Sequence, residues 1–287
     1  MKTCFATSFD KNYFYVSMVM AKTLGENHDG PADLICMVPR ELLERQKEWE
    51  EAVNQENLNV IFKIDERFEA TYQNVGQIGH ITSNCMYRLY FSSICDGYDR
   101  AIYIDPDTII LRDISPIKDY EMYDYAIIAL QESSDANLKV FNTSDMPYFN
   151  NGVFIANLNL WKDLDIENKL LAWQDNRGIT RTVEQDAMNA VLAPYWGAMP
   201  ISFNYFNYQE AISDIFSMQN PDPLIVHFVG ADKPWNKFPL ETLHEVAWIE
   251  KYKQITSSTD YDRSLNQWYG SRHEEKYGVS EDAISEV

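Results

Sequence analysis

The stretch Arg100-Ala101-Ile102-Tyr103-Ile104-Asp105-Pro106-Asp107 reads as a short apolar strand that stops abruptly at two carboxylates. Upstream of it, short apolar runs alternate with helical patterns, the signature of βαβ units and a largely parallel sheet. A first strand falls at residues 4–8. Residues 13–24 (YFYVSMVMAKTL) then carry apolar side chains at helical spacing up to Gly25, a residue suited to the left-handed conformation that ends helices. A second strand is expected at 33–38, bounded by Gly30-Pro31 and Pro39. An exposed, strongly charged helix follows at 41–54, then an alternating half-buried strand at 58–64. A helix at 81–94 leads into the strand quoted above. Beyond it, 125–130, 152–158 and 224–229 are strand-like and 184–192 is helical. The expected class is α/β, with a mostly parallel central sheet flanked by helices.

In open parallel sheets ligands bind beyond the carboxyl ends of the strands, so Asp105 and Asp107 stand where chemistry is expected. Two carboxylates on a turn stiffened by Pro106 can converge on a hard divalent cation, which takes oxygen ligands and bridges to phosphate. The triplet alone is a weak signal. With 44 acidic residues in 287, acid-x-acid triplets arise roughly six or seven times by chance, and a solvated acidic turn is the plainer reading.

Composition narrows the function classes. The chain is 45% hydrophobic and 24% charged, which excludes disordered, collagen-like and disulfide-scaffold proteins. No internal repeat or low-complexity linker interrupts it, so one continuous domain is expected at 1–256, with a polar tail at 257–287 on the surface or partly disordered. The formal charge is 24 − 44 = −20. A broad nucleic-acid footprint is excluded on that balance, and docking on anionic lipid is opposed. A phosphate-containing ligand would need a metal ion or a few placed cations to overcome the global field. Cys4, Cys36, Cys85 and Cys95 lack C-x-x-C spacing and read as buried thiols. With no signal-peptide pattern at Met1 and no window of 18 apolar residues, a soluble cytoplasmic protein is expected.

The second candidate centre is His227, at the end of the apolar run Leu224-Ile225-Val226 and followed by Phe228-Val229-Gly230-Ala231-Asp232-Lys233-Pro234-Trp235. Imidazole suits a transition metal such as manganese, Gly230 permits close backbone approach, and Lys233 is a point charge for phosphate. Taken alone, His227 reads more plainly as a satisfied core histidine before a proline turn.

His227, Gly230, Lys233, Pro234 and Trp235 together match the C-terminal motif of the family 8 retaining glycosyltransferases, which include glycogenin and bacterial lipopolysaccharide galactosyltransferases. Five fixed residues at this spacing arise by chance with a probability on the order of 10⁻⁵. The resemblance runs from about Phe5 to Trp235, in the family's order. Ala6-Thr7 with Asn12-Tyr13 resembles the segment that holds uracil and ribose, which implies that Tyr13 stacks on the base. Tyr87-Arg88-Leu89 resembles the Tyr-x-Arg-Leu stretch, whose basic residue reaches the donor. Tyr103-Ile104-Asp105-Pro106-Asp107-Thr108 resembles the Asp-x-Asp segment, implying that Asp105 and Asp107 coordinate manganese with His227 as third ligand. Phe149-Asn150-Asn151-Gly152-Val153 is similar to the Phe-Asn-x-Gly-Val segment that contacts the sugar. Glu184-Gln185-Asp186 and Asn189 stand where the family has Asp-Gln-x-x-x-Asn; Glu184 departs from it by one methylene. The family's further acidic residue has three candidates here, Glu132, Asp135 and Asp145.

The resemblance implies a Rossmann-like nucleotide-sugar-binding domain of the glycosyltransferase A type. It also implies metal-dependent transfer of a hexose, glucose or galactose, from a UDP-sugar to an acceptor hydroxyl with retention of configuration. Mn²⁺ is the expected ion and Mg²⁺ the alternative. Asp105, Asp107 and His227 would hold the metal, with Lys233 and Arg88 serving the diphosphate; Ala6, Thr7, Tyr13, Asn150, Gly152 and Gly230 complete the donor site. Asn150, Gln185 and Glu184 are the candidates at the sugar, where an oxocarbenium-like centre calls for amide and carboxylate oxygens.

The acceptor is a saccharide, a lipid-linked glycan or a protein, and the chain a monomer or homodimer. A non-catalytic UDP-sugar or metal binder is the alternative from another class. A nucleotidyltransferase or phosphatase with an aspartate pair is a third, although the chain lacks a G-x-x-x-x-G-K-[ST] loop. Self-glucosylation is a separate possibility in a chain with 18 tyrosines. The segment 196–208 (WGAMPISFNYFNY) reads either as an aromatic acceptor platform or as core.

Overall fold

In the computed structural model, residues 1–72, 83–132, 147–177, 184–207, 222–236, 240 and 242–256 are described. Within them the chain begins with β1 (Thr3–Ser8), α1 (Phe14–Glu26), β2 (Ala32–Met37), α2 (Gln46–Val53), β3 (Leu58–Lys63), α3 (Glu66–Tyr72) and α4 (Phe91–Ile94). It continues with β4 (Arg100–Ile104), β5 (Thr108–Ile110), β6 (Ile127–Glu132), β7 (Tyr148–Asn157), α5 (Leu158–Asp163), α6 (Ile166–Arg177) and α7 (Glu184–Leu192). The last elements are β8 (Trp196–Ala198), β9 (Tyr205–Phe206), β10 (Ile225–His227) and α8 (Leu243–Ile255).

Seven strands form the main sheet in the order β3-β2-β1-β4-β7-β6-β8. All neighbours are parallel except across β7, which runs antiparallel to both β4 and β6. The α/β architecture with a mostly parallel sheet is as expected. Alternate residues of the central strands face two separate apolar clusters. Cys4, Ala6, Ala101, Tyr103, Phe154 and Ala156 pack with residues of α4 to α7. Phe5, Ile102, Ile104, Val153 and Ile155 pack with residues of α1 and α2. Helices therefore cover both faces, and for that reason the central strands read as unbroken apolar runs rather than alternations.

Several boundaries differ from the sequence reading. Helix α1 runs through Gly25 to Glu26, and Asn27 closes it with its N–H on the Thr23 carbonyl. Gly25 serves proximity: a β-carbon there would come 2.5 Å from Cγ of Gln55. The expected helix at 41–54 is a 3₁₀ turn, Arg40–Arg45, followed by α2, and Asn54 ends it in the left-handed region at φ 47°. Nor is it simply a surface helix, because Trp49 is fully buried, stacked on Phe9 and donating to Ser17 Oγ at 2.9 Å. Between 83 and 94 lies a 3₁₀ segment, Ser83–Tyr90, and then α4, while 81–82 fall outside the described residues. Strand β7 begins at Tyr148, four residues before the expected start, so Asn150, Asn151 and Gly152 lie on a strand and not in a loop. The tail call at 257–287 also falls outside the described residues.

A second, three-stranded sheet, β5-β10-β9, is a feature the sequence reading did not contain. Its antiparallel pair sets Thr108 opposite His227, and β9 runs parallel on the other side with Phe206 opposite His227. This small sheet carries the distant histidine to the end of β4. Within 196–207 the rings Phe203, Tyr205 and Phe206 are buried and Trp196 leans on Phe149 while donating to the Ala129 carbonyl, whereas Ala198, Pro200 and Ile201 are exposed. Tyr208 lies outside the described residues.

Candidate functional site

Three hydrogen bonds, each accepted by a backbone carbonyl, assemble the centre. The Asp105 N–H donates to the Gly152 carbonyl at 2.7 Å, extending the antiparallel pairing of β4 with β7 past the strand end. Thr108 Oγ1 donates to the Asp105 carbonyl at 2.9 Å and tightens the Asp-Pro-Asp turn. The Phe228 N–H donates to the Asp107 carbonyl at 3.0 Å, holding the end of β10 against the same turn. His227 Nε2 consequently lies 3.3 Å from Asp107 Oδ1 and 3.7 Å from Asp105 Oδ2.

Each aspartate divides its two oxygens between a cation and this convergence point. Asp105 Oδ1 accepts from Arg88 Nη1 at 3.0 Å and from the Tyr103 hydroxyl at 2.8 Å, which leaves Oδ2 toward His227. Asp107 Oδ2 accepts from Lys233 Nζ at 2.6 Å, which leaves Oδ1 toward His227. Burial, with the neighbouring Asp107 charge, pushes the Asp105 carboxyl up, and Arg88 and His227 act against this. Burial also acts to raise Asp107, but Lys233 and His227 outweigh it and hold that carboxyl well below the usual carboxylate range.

The donor atoms of Asp105, Asp107 and His227 all lie within 4.8 Å of one another. Two carboxylate oxygens and one imidazole nitrogen suit a divalent ion, and the imidazole favours a transition metal such as Mn²⁺ over Mg²⁺. Room for it is kept by Gly152, where a β-carbon would stand 2.1 Å from His227 Cε1 and 2.8 Å from Asp105 Oδ2. The residues present fit a divalent cation.

Around this centre opens a cleft of about 260 Å³. Tyr13, Arg88, Asp105, Asp107, Asn150, Glu184, Gln185, His227, Gly230 and Lys233 all line it. These residues, from six separate stretches of sequence, thus meet at one mouth. Gly230 takes φ 85°, a conformation that favours glycine, as the chain turns from β10 toward Lys233. Trp235 packs on Trp248 of α8 and edge-on to Tyr13, anchoring that loop. Ala6 and Thr7 are not at the cleft; both are buried within β1, and Ser8, Phe9 and Asp10 line it in their place.

Arg88 and Glu184 form a buried pair with a 2.7 Å contact from Nη2 to Oε1. Arg88 also donates to the Asn151 carbonyl at 3.0 Å, and Glu184 Oε1 accepts from Asn151 Nδ2 at 2.9 Å. Burial acts to discharge the Arg88 guanidinium, but Asp105 and Glu184 hold it charged, well above its ordinary range. Both residues thereby brace β7 against α7 as well as facing the cleft. Lys233 likewise donates to the Phe228 carbonyl besides its bond to Asp107.

Sequence reasoning passed over several groups at the site. Glu132, one of three acidic candidates, accepts from Asn150 Nδ2 at 3.2 Å and from Gln185 Nε2 at 3.3 Å. Its strand, β6, has a register shift between Ala129 and Gln131, and bulges of this kind re-aim side chains. Asp135 and Asp145 lie outside the described residues. Asn204 bonds His227 from a segment that reads as aromatic core, so no motif marks it. Cys85, expected as a buried thiol, lines the cleft and is partly exposed, whereas Cys4, Cys36 and Cys95 are buried.

Comparison with known proteins agrees with this geometry. The family model described as glycosyl transferase family 8 matches residues 4–238. General stress protein A of Bacillus subtilis (strain 168) is 28% identical over 181 residues, covering 58% of this chain and 63% of that protein. The lipopolysaccharide 1,2-glucosyltransferase of Escherichia coli (strain K12) is 25% identical over 183 residues, covering 56% of this chain and 52% of that protein. The matches thus span less than two thirds of each relative's length. Among solved structures, the galactosyltransferase LgtC with donor and acceptor sugar analogues superposes with a TM-score of 0.74 at 19% identity, covering 91% of this chain and 99% of that one. The glycosyltransferase GlyE of Streptococcus pneumoniae TIGR4 gives 0.66 at 19% identity, covering 95% and 64% respectively. No helix among the described residues is long and apolar enough to cross a membrane. With a family model matched over most of its length and the corresponding fold around a convergent Asp-Asp-His cluster, the chain belongs to glycosyltransferase family 8.

Proposed function

We propose that the protein is a metal-dependent retaining hexosyltransferase that moves glucose or galactose from a UDP-sugar to an acceptor hydroxyl. The observation that carries this reading is the convergence of Asp105 Oδ2, Asp107 Oδ1 and His227 Nε2 on one point at the mouth of the cleft. A bound Mn²⁺ would supply charge neutralisation for the diphosphate leaving group.

The chain's own groups account for the remainder. Departure of UDP develops negative charge, which buried cations stabilise more strongly than solvated ones do. Lys233 lies at the cleft wall on Asp107, and Arg88 lies behind Asp105, so each keeps positive charge beside the carboxylates. Tyr13 offers a ring at the cleft for the base. Burial and the two aspartates push its phenol well up, so it is neutral at physiological pH. The sugar would face Asn150, Gln185 and Glu132, whose amide and carboxylate groups are linked to one another. Glu184 contributes by orienting Asn151 and Arg88. Gly152 and Gly230 serve the donor site by allowing close approach, and Ala6-Thr7 serve it through the strand that delivers Ser8 to Asp10.

The acceptor is a saccharide, a lipid-linked glycan or a protein. The free thiols of Cys4, Cys36 and Cys95 are consistent with a reducing, cytoplasmic setting. UDP release from a panel of UDP-hexoses, with Mn²⁺ and with chelator, tests the reading. Release from one hexose that stops on chelation supports it; release that persists under chelation refutes the metal dependence. UDP that binds without any transfer to saccharide, lipid or protein acceptors would instead identify a non-catalytic binder.

A further inference from the structure

His227 has two ring nitrogens, and only one of them faces the aspartates. Nε2 points at Asp105 and Asp107, while Nδ1 lies 2.9 Å from Asn204 Oδ1. An imidazole can ligate through Nε2 only if that nitrogen carries a lone pair, which in the neutral ring requires the proton on Nδ1. The side chains beyond it settle which tautomer is present, because each end of the chain of bonds has fixed chemistry.

At the far end, the Gly152 backbone N–H can only donate, and it donates to Asn150 Oδ1 at 2.9 Å. The Glu132 carboxylate accepts a bond from Asn150 Nδ2 at 3.2 Å. Both contacts orient the Asn150 amide the same way, with its oxygen toward Asn204. Asn204 must therefore present its NH₂ group to that oxygen, and it does so at 2.9 Å. Its own oxygen is then left for His227, and an amide oxygen can only accept. Asn204 is fully buried and Asn150 and His227 nearly so, so water does not compete for these bonds. Bonds from outer residues that fix ring orientation and tautomer are a general requirement of histidine ligands.

We infer that Asn204 is a positioning residue that fixes His227 as the Nδ1–H tautomer, through a directional amide relay running from Gly152 and Asn150, and so presents the Nε2 lone pair to the Asp105–Asp107 pair. Glycine at 152 thus has two tasks, leaving space with its missing side chain and setting the relay with its N–H. The inference rests on the metal reading of Asp105, Asp107 and His227.

The test uses the 287-residue chain labelled with ¹⁵N-histidine, without metal, at about pH 8. Protonated and unprotonated ring nitrogens resonate in separate ranges, and the His227 signals are identified by their loss in His227→Gln. The wild type is expected to show a protonated Nδ1, whichever state Nε2 takes beside the two carboxylates. Asn204→Ala, which offers no acceptor, is expected to lose that preference and to weaken Mn²⁺ binding by about 10- to 100-fold. Asn204→Asp keeps an acceptor oxygen and is expected to retain the tautomer, a rescue that a purely structural role for Asn204 does not provide. An unprotonated Nδ1 in the wild type overturns the inference even if Asn204→Ala does not fold. So does an Asn204→Ala protein with unchanged tautomer and Mn²⁺ affinity. A wild type that holds the Nδ1–H tautomer yet takes up no Mn²⁺ refutes the metal reading while leaving the relay intact.

Discussion

A β-carbon added to Gly152 would lie 2.1 Å from Cε1 of His227, well inside van der Waals contact, with Asp105 Oδ2 at 2.8 Å on its other side. The imidazole is nearly fully buried, so it has little room to retreat from such a contact. Gly152→Ala is expected to displace His227 from the aspartates and to cost about 1–3 kcal/mol of stability through overpacking. Mn²⁺ titration should show affinity falling at least tenfold, while thermal melting still shows a cooperative fold. An alanine variant that binds Mn²⁺ like the wild type would contradict the arrangement.

Removing one member of a buried ion pair leaves the other charged and unpaired. Here Arg88 keeps Asp105 as a partner, so Glu184→Ala should leave only its Nη2 group without a carboxylate and destabilise the protein by about 1–3 kcal/mol, read from the urea midpoint. The isosteric Glu184→Gln, which keeps an oxygen for Asn151 and Arg88, should cost less. Equal costs for the two variants would mean that the pair's charge does not matter.

Lys233 sits on Asp107 at the wall of the cleft, where the proposed function sets the diphosphate. Lys233→Met removes the charge while retaining the stem. Loss of a charge-assisted bond to phosphate is worth about 1.5–3 kcal/mol, so the Kd for UDP with Mn²⁺ should rise roughly tenfold to a hundredfold. Unchanged affinity by calorimetry would remove Lys233 from the donor site.

His28 lies away from the cleft, buried edge-on to Phe5, and neither of its ring nitrogens has a hydrogen-bond partner. Burial first, and Lys118 second, lower its pKa from the ordinary 6.5. Between the lowered value and 6.5 the unfolded chain binds more protons than the folded one, so stability rises with pH across that window. The contribution is complete above about pH 6.5 and is lost as the pH falls through the folded value. The drop in melting temperature from pH 7.5 to 5.5 should accordingly be smaller in His28→Leu than in the wild type. An equal drop would show that His28 does not carry it.

Much of the site was legible because its chemistry follows strand ends. Asp105 and Asp107 close an apolar run, and His227 closes another, so motif and position coincide. What brings the two together is the small sheet pairing Thr108 with His227, a contact between strands of three residues that leave no periodic signal. Glu132 was one of three acidic candidates that the sequence did not separate, because a bulge aims it, and Asn204 escaped as a single polar residue in an aromatic stretch. Arg88 and Glu184 were read as facing the donor, yet their side chains are already engaged with each other and with Asn151, a bracing role that pairing in space reveals and spacing in sequence does not. Ala6 and Thr7 are buried in the strand that delivers Ser8, Phe9 and Asp10 to the cleft, a placement that a match of residue types does not carry.

The most direct test of the central claim is calorimetry of UDP binding to the wild type and to His227→Gln, each with Mn²⁺ and with chelator. UDP should bind the wild type only when Mn²⁺ is present, and the variant weakly under either condition. UDP binding that is indifferent to chelation, or a variant that matches the wild type, would contradict a metal-bridged donor site built on Asp105, Asp107 and His227.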